Sequence, residues 1–147
     1  MKYVSTRGGG QAVNFSDILL EGLARDGGLA MPEIMPQVSA DMLEQWRQLS
    51  YADLATEVLS LFITDIPKDD LHQLAHKSYN KQAFGSDEIV PIKKLDDQIS
   101  LVGLSEGPTL AFKDMAMQFL GNIFEYVLAK RCLLYTSDAA DDSLRVD

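Results

Sequence analysis

The chain has 147 residues, 46% hydrophobic and 24% charged, which is enough apolar content for one domain or part of one. A formal net charge of −9 argues against nucleic acid as a partner and for a small molecule or a protein. The single cysteine, Cys132, excludes an internal disulfide; the sequence has no apolar run of bilayer length, and Met1-Lys2-Tyr3-Val4-Ser5 lacks a signal-peptide core, so a cytoplasmic location away from membranes is expected.

In chain order, Ser5-Thr6-Arg7 reads as a phosphate ligand or as a device that orders the amino terminus. Gly8-Gly9-Gly10 lacks the third glycine of a dinucleotide fingerprint and follows no strand signal, so it reads as a mobile turn. Ser16 is placed to cap a helix over Asp17 to Ala24, with Phe15 and Leu20 as a hydrophobic staple. Gly27, Gly28 and Pro32 end that helix, and Asp26-Gly27-Gly28 is a simple stop and turn. A second helix follows Ser39 and is expected to bury Met42, Leu43, Trp46 and Leu49. Ser50-Tyr51-Ala52-Asp53 has capping-box form, with Asp in place of Glu or Gln, and opens a third helix whose face is Leu54, Ala55, Val58, Leu61 and Phe62. Pro67 opens a fourth, to about Tyr79. Ile89-Val90-Pro91-Ile92 and Ile99 to Leu104 read as two strands joined across Lys94 to Gln98, the first at a sheet edge because Pro91 cannot donate to a ladder.

Within the fourth helix, His72 and His76 share a face at the spacing of a helical zinc motif. Gln73 replaces the glutamate that would act as general base, and the sequence shows no third ligand, so the pair reads as a solvated stripe and no metal is assigned.

The most chemically suggestive stretch is Gly107-Pro108-Thr109-Leu110-Ala111-Phe112-Lys113-Asp114, a turn after an apolar strand. Met115, Ala116, Phe119, Leu120, Ile123 and Val127 then recur at helical spacing and place Lys113 in the first turn. The positive end of the helix dipole disfavours an ammonium there and makes a neutral, nucleophilic amine more accessible for Schiff-base chemistry. By position alone a solvated surface lysine remains the alternative.

Ser105 to Tyr126, SEGPTLAFKDMAMQFLGNIFEY, closely resembles the pyridoxal-phosphate lysine segment of the threonine synthase family, which are fold-type-II cofactor enzymes. Tyr3 to Gly8 (YVSTRG), Phe15 to Pro32 (FSDILLEGLARDGGLAMP) and Trp46 to Leu54 (WRQLSYADL) resemble the same family's amino-terminal segment, in the same order. The resemblance implies an α/β fold, here a mostly helical amino-terminal portion, two short strands and the start of a fold-type-II cofactor domain. It divides the chain into 1–88, an amino-terminal helical domain, and 89–131, the start of the cofactor-binding domain. It further implies a lyase that converts O-phospho-L-homoserine and water into L-threonine and phosphate, with pyridoxal 5'-phosphate held covalently by Lys113, which then shuttles protons as a free base. Phe112 packs near the cofactor ring or in the core. Asp114 fixes the loop or simply favours the first turn. Another fold-type-II lyase acting on an amino acid, and a non-catalytic threonine-synthase-like protein, are the alternatives.

The resemblance stops near Arg131. Residues 132–147, with four acids in the last ten, look like translated adapter or vector sequence, disordered or artefactual. On this reading the chain is an amino-terminal fragment, inactive alone, because the glycine-rich phosphate cradle of the family lies past Arg131.

Overall fold

The computed structural model describes residues 1–131, so the expectation for 132–147 falls outside the described residues. The elements run β1 (Tyr3–Ser5), α1 (Phe15–Glu21), β2 (Ala30–Pro32), α2 (Ala40–Trp46), α3 (Tyr51–Phe62), α4 (Lys68–Ser78), α5 (Lys81–Phe84), β3 (Ile92–Lys94), β4 (Ser100–Val102) and α6 (Asp114–Lys130). This is the expected mixture of helices and short strands, with more strands than foreseen. β1 and β2 pair antiparallel, with Tyr3 opposite Pro32 and Ser5 opposite Ala30, and β3 and β4 form a separate antiparallel hairpin.

Where the backbone's needs are met locally, the helix starts fall as expected. The Ser39 side chain accepts from the Met42 N–H, and that of Ser50 from the Asp53 N–H, so α2 and α3 begin with satisfied donors. Pro67 precedes α4, where its missing N–H costs nothing. The first helix differs. Its N-cap position is Asn14, whose side chain makes no capping hydrogen bond, it starts at Phe15, and the Ser16 N–H donates instead to Asp65 Oδ2 at 2.9 Å. It also ends early, at Glu21, because Gly22 takes a φ of 76° that residues with a Cβ rarely adopt.

The core is a helical wedge. Ile63 and Ile66 after α3, Leu71, Leu74 and Ala75 of α4, and Phe119, Ile123 and Val127 of α6 form one buried cluster. Phe15 and Leu20, expected as a staple, pack on its flank. Of the stripe expected on α3, Ala55 and Phe62 pack against this cluster, whereas Val58 is exposed and the buried residues of the helix are Ala52 and Thr56. This rotation puts the small Ala52 and Thr56 inward, where Thr56 Oγ1 donates to the Ala52 carbonyl at 2.9 Å. α2 buries none of its residues; Leu43 is 59% exposed, and neither it nor Leu49 joins the cluster. Leu71 is fully enclosed, so Leu71→Ala is expected to cost about 2–5 kcal/mol, read as a lowered denaturation midpoint.

Polar ties reinforce the contact between α4 and α6. The Asn122 side-chain amide donates to Ser78 Oγ at 2.9 Å, and the buried Ser78 hydroxyl donates to the Leu74 carbonyl at 2.7 Å. The Tyr79 hydroxyl donates to the Met115 carbonyl at 2.8 Å, reaching the first turn of α6. Burial, and then the neighbouring Tyr51, push the Tyr79 phenol up to about 12, so it remains a donor at all ordinary pH. The hairpin that precedes α6 is shifted from expectation: Ile89 and Val90 lie outside β3, and Pro91 stands just before it, offering its carbonyl to the Gly103 N–H at 2.8 Å. Ile92, Leu101 and Val102 are more than half exposed, leaving an apolar hairpin without a partner among the described residues. Among those residues no helix is long and apolar enough to cross a membrane.

Candidate functional site

Lys113 stands immediately before α6, with φ −63° and ψ −23°, and its carbonyl accepts from the Ala116 and Met117 N–H groups at 3.0 and 2.9 Å. Its backbone is thus already helical while its side chain is exposed. What holds the turn is Asp114, 2% exposed, whose Oδ2 accepts from the Thr109 N–H and from the Thr109 hydroxyl, both at 2.8 Å. Burial works to raise the Asp114 carboxyl, but the hydrogen bonds from Thr109, together with those from Gln118 and the Ala111 backbone, outweigh it and hold the group below the usual carboxylate range. An ionised, buried Asp114 therefore closes a loop of residues 109–114 over the helix start.

Gly107 is part of this closure. A Cβ on Gly107 would lie 2.3 Å from Asp114 Cβ and 2.6 Å from Asp114 Oδ2, so the Asp114 side chain occupies the space any larger residue would need. Leu110 takes a φ of 57°, a left-handed conformation costing roughly 1–2 kcal/mol for an L residue, and the turn bears it through the Leu110 N–H to Gly107 carbonyl bond at 3.0 Å. Pulling in Asp114 leaves its neighbours outside. Phe112 is 67% exposed and Leu110 75%, so Phe112 takes no part in the described core, and with Lys113 it forms a face without packing partners among the described residues.

The cleft of about 350 Å3 near the amino terminus is elsewhere, lined by Tyr3, Ser5, Gly9, Val13, Ile18 and Ala30 among others. Its rim is organised by Asp26, a residue that in sequence marks only a helix stop and turn. The Ser5 hydroxyl donates to Asp26 Oδ1 at 2.6 Å, the Gly9 N–H to Oδ2 at 3.0 Å and the Gly28 N–H to Oδ1 at 2.9 Å, while Arg7 Nη1 donates to the Asp26 carbonyl at 3.0 Å. Ser5 and Arg7 are thereby engaged within the chain, which favours the ordering role over a phosphate ligand. The glycine-rich turn does follow a strand, β1, too short at three residues to show an alternating pattern.

The histidine pair also gains a partner that its local sequence lacks. His72 Nε2 and His76 Nε2 lie 3.2 and 2.9 Å from Asp53 Oδ1, carried by the first turn of α3. One of the two grounds for the metal-free reading, the absence of a third group, is corrected: Asp53 lies 19 residues from His72 in sequence and becomes a neighbour only when α3 packs on α4. The Ser50 hydroxyl first, and then His76, hold the Asp53 carboxyl down to about 2. A depressed value means that ionised Asp53 stabilises the fold above about pH 4, an effect lost as the pH falls toward 2. The group is solvent-accessible, so the contribution is under about 1 kcal/mol. Asp53→Asn should flatten the fall of the unfolding midpoint in that pH window; an unchanged slope would mean that Asp53 carries none of it.

The threonine synthase N terminus family matches residues 2–79. The threonine synthase of Methylobacillus glycogenes is 53% identical over 138 residues, covering 89% of this chain and 29% of that protein. That of Corynebacterium glutamicum is 50% identical over 136 residues, covering 89% of this chain and 28% of that protein. The crystal structure of PLP-bound threonine synthase from Brucella melitensis superimposes with a TM-score of 0.84 at 44% identity, covering 90% of this chain and 28% of that one. The chain thus spans under a third of the length of the relatives it matches. With over half of its residues matched by that family and its helices and short strands superimposing on a solved relative, the chain belongs to the threonine synthase family and corresponds to its amino-terminal part.

Proposed function

We propose that this chain supplies the lysine side of the active site of a threonine synthase, a cytoplasmic lyase that converts O-phospho-L-homoserine and water into L-threonine and phosphate. The observation that carries this reading is the exposed Lys113 presented by a turn whose geometry is set by the buried Asp114 and by Gly107. These residues fit pyridoxal 5'-phosphate in chemistry: a primary amine, an aromatic face at Phe112 and an unpartnered apolar surround. When bound, that cofactor supplies an electron sink for carbanion chemistry on the substrate's carbon chain.

The remaining work falls to the protein. Homoserine carries its oxygen at Cγ and threonine at Cβ, so phosphate must leave the one carbon and water must add at the other. Protons must therefore be taken from and returned to carbon. Lys113 Nζ would hold the cofactor and is also the base suited to carry those protons, because an amine exchanges a proton where a guanidinium does not. Asp114 and Thr109 keep the lysine's backbone fixed, and Phe112 offers its ring as a packing face for the cofactor. We assign 1–88 to the helical portion that supports α6 and 89–131 to the start of the cofactor domain, and we assign the phosphate cradle to the part of the family beyond the matched segment.

The test is product analysis of a full-length synthase whose amino-terminal segment is this chain's residues 1–131. Threonine and phosphate are expected in equal amounts from O-phosphohomoserine. Phosphate without threonine, or a different amino acid product, would assign the protein to another lyase.

A further inference from the structure

We propose that Asp53, His72 and His76 form a binding site for a zinc-class divalent cation that clips α3 to α4. The ligand atoms are gathered already: both Nε2 atoms face Asp53 Oδ1, at 3.2 and 2.9 Å, and the three donors lie within 4.8 Å of one another. Tetrahedral ligands at about 2.0–2.1 Å from zinc are themselves about 3.3–3.4 Å apart, so the two distances to Asp53 need change by only a few tenths of an ångström, while the two imidazole nitrogens, within 4.8 Å of each other, close by up to about 1.4 Å through side-chain rotation. The two imidazoles stand one helical turn apart on α4, with ring centroids 4.2 Å apart.

The carboxylate is oriented for the task. The Ser50 hydroxyl donates to Asp53 Oδ2 at 2.6 Å and leaves Oδ1 for the histidines, the kind of supporting bond that aims a metal-binding carboxylate. The side chains are 51%, 45% and 36% exposed for His72, His76 and Asp53, so a cation has access and water completes its coordination. Two imidazoles and one carboxylate select zinc, nickel or copper over magnesium and calcium, which prefer all-oxygen sites. On binding, each neutral imidazole carries its proton on Nδ1 and directs the Nε2 lone pair at the metal, while Asp53 binds as the carboxylate.

The experiment is equilibrium dialysis of the untagged chain against zinc at pH 7.5, in a Cys132→Ser background that removes its one thiol. One zinc per chain is expected, with affinity reduced at least about tenfold by His76→Ala and by Asp53→Asn, since removing even a supporting residue typically costs 10–100-fold. Millimolar magnesium should not displace the zinc. His72 and His76 are the chain's only histidines, so their imidazole proton resonances report on the same sample and should shift together, saturating at one equivalent. The exposed His76→Ala variant should keep its helicity, and the Asp53→Asn variant provides an independent loss of ligand. Failure to take up zinc stoichiometrically, equal uptake by His76→Ala, or movement of only one imidazole would overturn the site.

Discussion

Replacing Lys113 by Ala in the full-length synthase is expected to lower kcat/KM by at least about a thousandfold, because one substitution removes both the covalent attachment and a proton transfer worth about 10²–10⁴. Lys113→Arg should fail as badly, since the guanidinium keeps its charge and its nitrogen does not exchange with a substrate amine. Neither change should disturb the fold, because the Lys113 side chain is exposed and its contribution to α6 is through its backbone carbonyl. Far-UV dichroism and the thermal midpoint therefore accompany the kinetics. Lost activity with an unchanged midpoint is the expected pair, and an equally active Lys113→Ala enzyme would remove Lys113 from the chemistry.

Gly107→Ala is expected to have the second largest effect, by a different route. The added Cβ would meet Asp114 Cβ at 2.3 Å, and neither backbone has room to yield without opening the Thr109 to Asp114 hydrogen bonds. Overpacking of this kind costs about 1–3 kcal/mol. A lysine displaced by about 1 Å loses on the order of 10²-fold in rate. The signature that separates this from the Lys113 variants is a lower unfolding midpoint together with lost turnover. Thr109→Val, which removes one of the donors to the buried Asp114 and adds no clash, should fall between Gly107→Ala and the wild type. If Gly107→Ala retained the wild-type rate and midpoint, the close packing of Gly107 on Asp114 would not be what positions the lysine.

How much of this was readable in advance depends on the range of each interaction. The caps at Ser39 and Ser50 were legible because donor and acceptor are three residues apart, and the Lys113 turn because Gly107 and Asp114 are seven apart on one continuous motif. The start of α1 was misread because the Ser16 N–H is satisfied by Asp65, 49 residues away. The pairing of β1 with β2 left no trace, since three-residue strands are too short for an alternating pattern and are joined by backbone bonds between segments far apart in sequence, with Asp26 reaching to Ser5 and Gly9 beside them. The exposure of Leu43 on α2 and the rotated face of α3 were likewise invisible, because periodicity shows that a stripe exists and not which side meets the core. Asp53 illustrates both cases: its role at the start of α3 was written locally, and its meeting with His72 and His76 required two helices to pack.

The most direct measurement is reduction of the cofactor-loaded, full-length synthase with borohydride, followed by proteolysis and peptide mass analysis. The pyridoxyl mass should be found on the peptide containing Lys113, and Lys113→Ala should carry no such label. A pyridoxyl group on another lysine, with Lys113 unmodified, would show that the turn built by Gly107, Thr109 and Asp114 presents a surface lysine and that the cofactor is held elsewhere.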